Sequence, residues 1–223
     1  MARKSETKTG SASQDVTRRQ LLEAAGEVFA EAGFRNATVR EICRRAGANI
    51  AAINYHFGDK EKLYTEVLRY SHGKTLEKYP PLLGVAENSP AEKKLRAFVH
   101  SLLLRIFDKG PTSWHGKLMA REMIEPSAAL DSLVEERIRP MSSQLSKIVA
   151  EILGCPLDDE RVRLCSFSVV SQCTFYNHCR PVVVRLFPKH PELDAAGVES
   201  LADHITKFSL AAMKGFAGKK RST

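Results

Sequence analysis

No stretch of this 223-residue sequence approaches the roughly 18 consecutive apolar residues that a membrane-spanning helix needs. The opening run MARKSETKTGSASQ is polar and has no apolar segment of the secretory-signal kind, so no leader is expected. Strict polar–apolar alternation is missing, which leaves no convincing strand. The common catalytic signatures are missing too: there is no G-x-x-x-x-G-K-S/T, G-x-G-x-x-G, H-E-x-x-H or G-x-S-x-G. The 7 histidines are scattered and none has an obvious nucleophile partner, so an enzyme reading has little to stand on. The 5 cysteines are an odd number at no metal-finger spacing, the usage of reduced thiols in a cytosolic protein. There are no internal repeats.

What is present is the material of a globular chain, with 43% apolar and 27% charged residues. Its charge is uneven. Residues 1–60 carry 10 basic against 7 acidic side chains, residues 61–213 carry 20 against 19, and residues 214–223 carry 4 against none. Most of the net charge of +8 therefore lies at the two ends, which suggests a polyanion contact made by one part of the molecule. Charge alone does not separate nucleic acid from an anionic membrane surface.

Nearly every periodic segment repeats at helical spacing, so an all-α fold is expected. Leu21, Leu22, Ala25, Val28, Phe29 and Ala32 mark a first helix, with Gly33 fitting its left-handed C-terminal position. Thr38-Val39-Arg40-Glu41 reads as a capping box opening a second helix that closes at Gly47. A very short third helix is expected from Asn49 to Phe57, and Asp59 is placed to cap a fourth. Pro80-Pro81 opens a linker running to Asn88, after which Ser89-Pro90-Ala91-Glu92 reads as a cap with proline at the first helical position. The stripe Leu95, Phe98, Val99, Leu102, Leu103, Ile106 and Phe107 faces a core. A helix from about Ser113 to Glu125 is followed by a long one, bent at Pro140. Residues 158–178 are apolar almost all round, and a helix of that kind must be covered on several sides. The last helix shows Val198, Leu201, Ile205, Phe208 and Met213 on one side.

The three short N-terminal helices, with a tight Ala46-Gly47-Ala48 turn between the second and third, satisfy the rules for a helix-turn-helix. In the third, Ile53 and Phe57 lie one turn apart and anchor it. Ala51 and Tyr55 then project from the opposite side, flanked by Ile50 and Asn54. A small residue lets a backbone come close to DNA, and Asn and Tyr can bond base edges or phosphates. Lys60 opens the fourth helix, where a cation opposes the helix dipole. A phosphate at that helix start reverses the sign; otherwise Lys60 is a solvated side chain.

The run TVREICRRAGANIAAINYHFGDKEKLY, residues 38–64, resembles the DNA-binding domain of TetR-family transcriptional repressors. With the preceding helix, the likeness covers residues 14–74, with the motif itself at 37–57. It implies that the positions of Thr38, Asn49, Ile50, Ala51, Asn54, Tyr55, His56 and Lys60 contact DNA, with Arg40 beside them. Two positions depart from the common pattern: Ile50 stands where many relatives carry Lys or Arg, and Asn54 where they carry Tyr. An Ile there can pack on a thymine methyl instead. Several of these residues have a simpler role open to them: Thr38 and Asn49 as helix caps, His56 as packing, and Arg40, Arg44 and Arg45 as a solvated face. Residues 1–13, with Arg3, Lys4 and Lys8, are expected to be a disordered basic arm, and residues 219–223 a disordered tail.

The run NIAAI, with the region from Trp114 to Glu125 and the EPSAAL that follows, looks like the subgroup with a CerR-type C-terminal domain. The resemblance implies a helical effector-binding and dimerisation domain at 80–218, pairing as a homodimer through helices near 158–178 and 198–216. A two-fold dimer implies a pseudo-palindromic operator. The implied protein is a cytoplasmic repressor, nucleoid-associated when bound, released by a small-molecule effector, with no cofactor and no membrane partner. An effector pocket is expected near Phe98, Leu102, Trp114, Met119, Met123, Phe167 and Tyr176, although aromatic and Met residues at helical spacing are usually core. His100, Arg121, Asn177 and His178 are candidate polar hooks. Cys165 and Cys173, eight residues apart, lie roughly 12 Å apart along a helix and cannot share a metal, so buried thiols are expected.

Overall fold

The computed structural model describes residues 6–110, 113–188 and 194–216. Among them the chain is helical with no strand: α1 (Glu6–Asn36), α2 (Val39–Ala46), α3 (Ile50–Phe57), α4 (Lys60–Lys78), α5 (Ala91–Ile106), α6 (Trp114–Ile124), α7 (Ala129–Leu133), a π-helical turn (Val134–Ile138), α8 (Arg139–Leu153), α9 (Glu160–His178), α10 (Arg180–Leu186) and α11 (Ala195–Phe216). These helices form two compact units. One is Met1–Lys74 with Gly110–Leu133, and the other is Thr75–Lys109 with Val134–Thr223.

The first unit is built on α1, against which α2 and α6 pack. Leu21, Leu22, Ala25, Val28 and Phe29 of α1 are buried together with Ile42, Ile53, Phe57, Leu63 and Leu68. Each of these side chains larger than Ala25 stabilises by about 1.5–3 kcal/mol when withdrawn from water. Phe29 meets the Tyr64 ring edge-on at 4.8 Å between centroids, and Phe34 folds back to 4.9 Å from the same ring. Gly33 has the positive φ (77°) expected of it, but with ψ 165° it kinks α1, which runs on to Asn36. The orphaned Ala30 and Glu31 carbonyls are capped by Arg121, through Nε at 3.0 Å and Nη2 at 2.7 Å.

α6 and α7 therefore belong with the N-terminal helices, whereas the sequence placed them in a continuous C-terminal block. The reason is close packing that no local pattern reveals. The Trp114 ring lies so near the α1 backbone that a Cβ on Gly26 would approach its Cζ2 to 2.2 Å. The Tyr64 hydroxyl donates to the buried Glu122 carboxylate at 2.5 Å. Ser127 holds the other Glu122 oxygen through its amide (3.2 Å) and hydroxyl (3.1 Å).

In the second unit α5, α8, α9 and α11 surround a core of Leu95, Phe98, Val99, Leu103, Leu145, Val149, Val162, Val169, Cys173, Ala202 and Ile205. The long helix expected from Leu130 onward is divided. Pro140 lacks an N–H and its ring crowds the carbonyl four residues back, so the chain takes a π turn before α8 resumes. Pro90 occupies the N-cap of α5 without a side-chain cap, so the Ser89 box does not form.

The helical start of α1 at Glu6 also revises the expected arm. The stretch after it has no proline and Glu6 suits a helix start, so the backbone at residues 6–13 is helical rather than disordered. Arg3, Lys4 and the tail 219–223 lie outside the described residues.

Candidate nucleic-acid interface

The helix-turn-helix forms from local chemistry. Thr38 caps α2 by accepting from the Glu41 amide at 3.2 Å. The reciprocal arm of the box is diverted, because the Glu41 carboxylate takes Arg44 (2.7 Å) and Arg45 (2.8 Å). Hydrogen bonds from Arg44 first, then Arg45, hold that carboxyl down at about 2. Gly47 closes α2 in the left-handed conformation, φ 62° and ψ 29°, and the chain turns directly into α3. Asn49 caps α3, its side chain accepting from the Ala52 amide at 2.9 Å. Gly58 ends α3 with φ 86°, and Asp59 caps α4 through the Lys62 amide at 2.7 Å. That backbone bond is the main reason the Asp59 carboxyl is lowered.

On α3, Ile53 and Phe57 are 1% and 6% exposed and seat the helix on its unit. The opposite side is open: Ala51 and Asn54 are exposed, Ile50 is 51% exposed and Tyr55 is 71% exposed. His56 is half-buried, its ring 5.0 Å from Tyr55 and 6.0 Å from Phe57. Thr38, Arg40 and Asn49 are exposed on the adjoining turns. Arg45 is drawn aside by Glu31 at 2.7 Å as well as Glu41, so it is tied within the unit. Lys60 Nζ donates to the Arg35 carbonyl at 3.2 Å and sits 4.8 Å from the Phe34 ring centroid. Its ammonium is thus fixed beside the start of α4.

The seven residues expected around an effector are divided between the two units. Trp114, Met119 and Met123 lie in the first unit, Trp114 buried against α1 and Met123 exposed. Phe98, Leu102, Phe167 and Tyr176 lie in the second. There Phe98 is core, Leu102 and Tyr176 pack partly buried on it, and Phe167 points out at 56% exposure. An open cavity of about 670 Å³ in the first unit is lined by Phe34, Arg35, Lys62, Tyr64, Glu122 and Pro126 among others, and by none of those seven. Arg121, one of the expected hooks, borders it while capping α1. His100 is half-buried, and burial lowers its imidazole. Asn177 is half-buried and His178 exposed at the end of α9.

The five thiols are free, with Cys165 and Cys173 buried. Among the described residues no cluster of His, Cys, Asp or Glu is arranged to hold a metal. No helix among them is long and apolar enough to cross a membrane. The outer side of α9 exposes Leu164, Phe167, Val170 and Phe175, and α11 exposes Phe208 and Phe216.

Two family matches divide the chain. Residues 21–67 match the tetR family of bacterial regulatory proteins, and residues 91–213 match the C-terminal domain of the HTH-type transcriptional dual regulator CecR. The chain belongs to the TetR family. The subgroup read from the sequence as CerR-type is that of CecR. The CecR protein of Shigella flexneri is 34% identical over 163 residues, covering 70% of this chain and 73% of that protein. The HTH-type transcriptional repressor NicS of Pseudomonas putida is 27% identical over 221 residues, 93% of this chain and 97% of NicS. The transcriptional regulator FadR of Bacillus subtilis, solved with stearoyl-CoA, shares the fold at a TM-score of 0.65 and 17% identity, over 86% of this chain and 97% of FadR. As a TetR-family member the chain is a DNA-binding transcriptional regulator, not an enzyme.

Sequence reasoning missed three residues that the packing of this chain brings into play: Gly26 beneath the Trp114 ring, Glu122 against the Tyr64 hydroxyl, and Arg105 enclosed near the end of α5. For Arg105 a signal existed: it lies seven residues after Phe98, on the same apolar face.

Proposed function

We propose that this regulator is a cytoplasmic homodimeric repressor that reads a pseudo-palindromic operator with α3 and is released by a small-molecule effector. The observation that carries the DNA reading is the two-sidedness of α3, anchored by Ile53 and Phe57 and open at Ala51, Asn54 and Tyr55. In this reading Asn54 and Tyr55 reach base edges, Ala51 permits close approach, and Ile50 packs on a thymine methyl. Thr38, Arg40, Asn49, His56 and Lys60 position the helix on phosphates. Lys60 and the amides opening α4 together suit one phosphate.

The DNA-binding part corresponds to residues 14–74 and the effector and dimer part to 80–218, with α6 and α7 packed beside the first. Dimerisation is assigned to α9 and α11, whose exposed Leu164, Phe167, Phe175 and Phe208 are otherwise solvated. Two-fold pairing sets two α3 helices on successive major-groove faces, about 34 Å apart. The repressor assignment is supported by the likeness to NicS along nearly the whole chain.

The test is a mobility-shift assay on DNA upstream of the chain's own and neighbouring genes, with competitor DNA present. A defined fragment is expected to shift, and Asn54→Ala with Tyr55→Ala is expected to abolish its preference over competitor. Unchanged selectivity in the folded double variant refutes the role of α3.

A further inference from the structure

Arg105, near the end of α5, is only 4% exposed. Its Nε donates to the Ser101 carbonyl at 3.2 Å, and Nη1 lies 2.7 Å from the Met141 sulfur. Its Nη2 is buried without a hydrogen-bond partner, and among the described residues no carboxylate pairs with it. The neighbouring Cys173 thiol does not balance the charge, because burial pushes it up to about 12 and keeps it neutral. Burial lowers Arg105 itself to about 10, which leaves it cationic at neutral pH.

The same unit treats its other buried cation differently. Lys94, 8% exposed, is matched by the Glu151 carboxylate at 2.6 Å and the Glu87 carbonyl at 3.1 Å. An unbalanced buried charge is strongly destabilising, so a fold that pairs Lys94 and not Arg105 carries a cost that folding alone does not explain. A second unsatisfied guanidinium belongs to the same unit. Arg137 stands in the π turn one turn before Met141, the residue Arg105 touches, and its Nε is also buried without a partner. A π turn takes the chain out of α-helical register, and such turns are frequent at functional sites.

We propose that Arg105 and Arg137 are the recognition point for a carboxylate on the small-molecule effector, between α5 and the start of α8. The inference rests on the effector-responsive reading above and deepens it. A guanidinium is a flat fork of donors that matches a carboxylate, and it loses less than an ammonium on leaving water. The surroundings select the rest of the ligand. Phe98 lies seven residues before Arg105 on the same face of α5, and Leu102 and Met141 pack on the same core. They suit an apolar body behind the carboxylate.

The experiment uses the full chain in thermal-shift assays with sodium benzoate and sodium hexanoate. Benzamide and hexanamide at matched ionic strength serve as neutral controls. The carboxylates are expected to raise the melting temperature by about 3–5 °C at a tenfold excess over Kd, and the amides to leave it unchanged. Arg105→Met is expected to remove that rise while melting, without added ligand, at or above the wild-type temperature, since the unpaired charge is gone. Arg137→Gln is expected to weaken the carboxylate response about tenfold in Kd.

Four results overturn the assignment: no carboxylate effect, an equal effect of the amides, a response retained in Arg105→Met, or a lowered basal melting temperature of that variant. A mobility-shift assay on the same preparations separates this from failure of the regulator reading. Loss of operator binding by the wild-type protein refutes the latter whatever the thermal data show.

Discussion

The bond between Tyr64 and Glu122 offers the sharpest quantitative test of how the first unit is held. Tyr64 is 2% and Glu122 1% exposed, and the hydroxyl donates to Oε1 at 2.5 Å. Tyr64→Phe deletes the donor and leaves the ring packed on Phe29 and Phe34. Removing a hydrogen bond to a charged group costs about 1.5–3 kcal/mol. The other Glu122 oxygen keeps both Ser127 bonds, which places the loss in the lower part of that range, about 1.5–2 kcal/mol. For a chain of this size that lowers the melting temperature by about 3–8 °C.

Urea unfolding followed by circular dichroism measures it, with the midpoint moving at constant slope. The pH dependence adds a second signature. Burial first, and Glu122 second, raise the Tyr64 hydroxyl above its ordinary value. The folded state then keeps a proton that the unfolded chain releases above about pH 10, so this stabilisation is complete below that pH and is lost as pH rises past it. The difference between wild type and Tyr64→Phe should shrink in the same range. A loss below about 0.5 kcal/mol, or a difference that grows at alkaline pH, refutes the reasoning.

Gly26→Ala forces a methyl into the Trp114 ring and should cost about 1–3 kcal/mol, read by emission of the single tryptophan shifting to the red. Lys60→Ala should weaken binding to every DNA sequence alike and flatten the dependence of log K on log salt by about 0.9, measured by anisotropy titration. Phe167→Glu combined with Phe208→Glu should yield a folded monomer in analytical ultracentrifugation, and a persistent dimer would move the interface elsewhere. Ile53→Ala removes a nearly inaccessible anchor of α3 and should cost about 2–5 kcal/mol in chemical denaturation.

The helix-turn-helix was legible because its information is local. Thr38, Gly47, Asn49, Gly58 and Asp59 act on amides and carbonyls within a few residues of themselves, and the spacing of Ile53 and Phe57 sets which side of α3 faces outward. A rule with a reach of four residues can be read from a string of letters. The residues expected around an effector were less legible, since a Met or aromatic at helical spacing looks the same whether it meets core, a ligand or a partner. Phe98 and Phe167 illustrate this, one closed in and the other open to solvent.

By itself, then, the order of residues determined an all-helical chain, the caps at Thr38, Asn49 and Asp59, and the exposed side of α3, because hydrogen bonding and periodicity act along the backbone. Only the tertiary structure decided that α6 and α7 join the N-terminal helices, that Arg45 is drawn to Glu31 of α1, and that Arg105 is enclosed without a counter-charge. Those outcomes depend on which distant side chain arrives within about 3 Å, the distance at which a hydrogen bond forms or a buried charge goes unmatched.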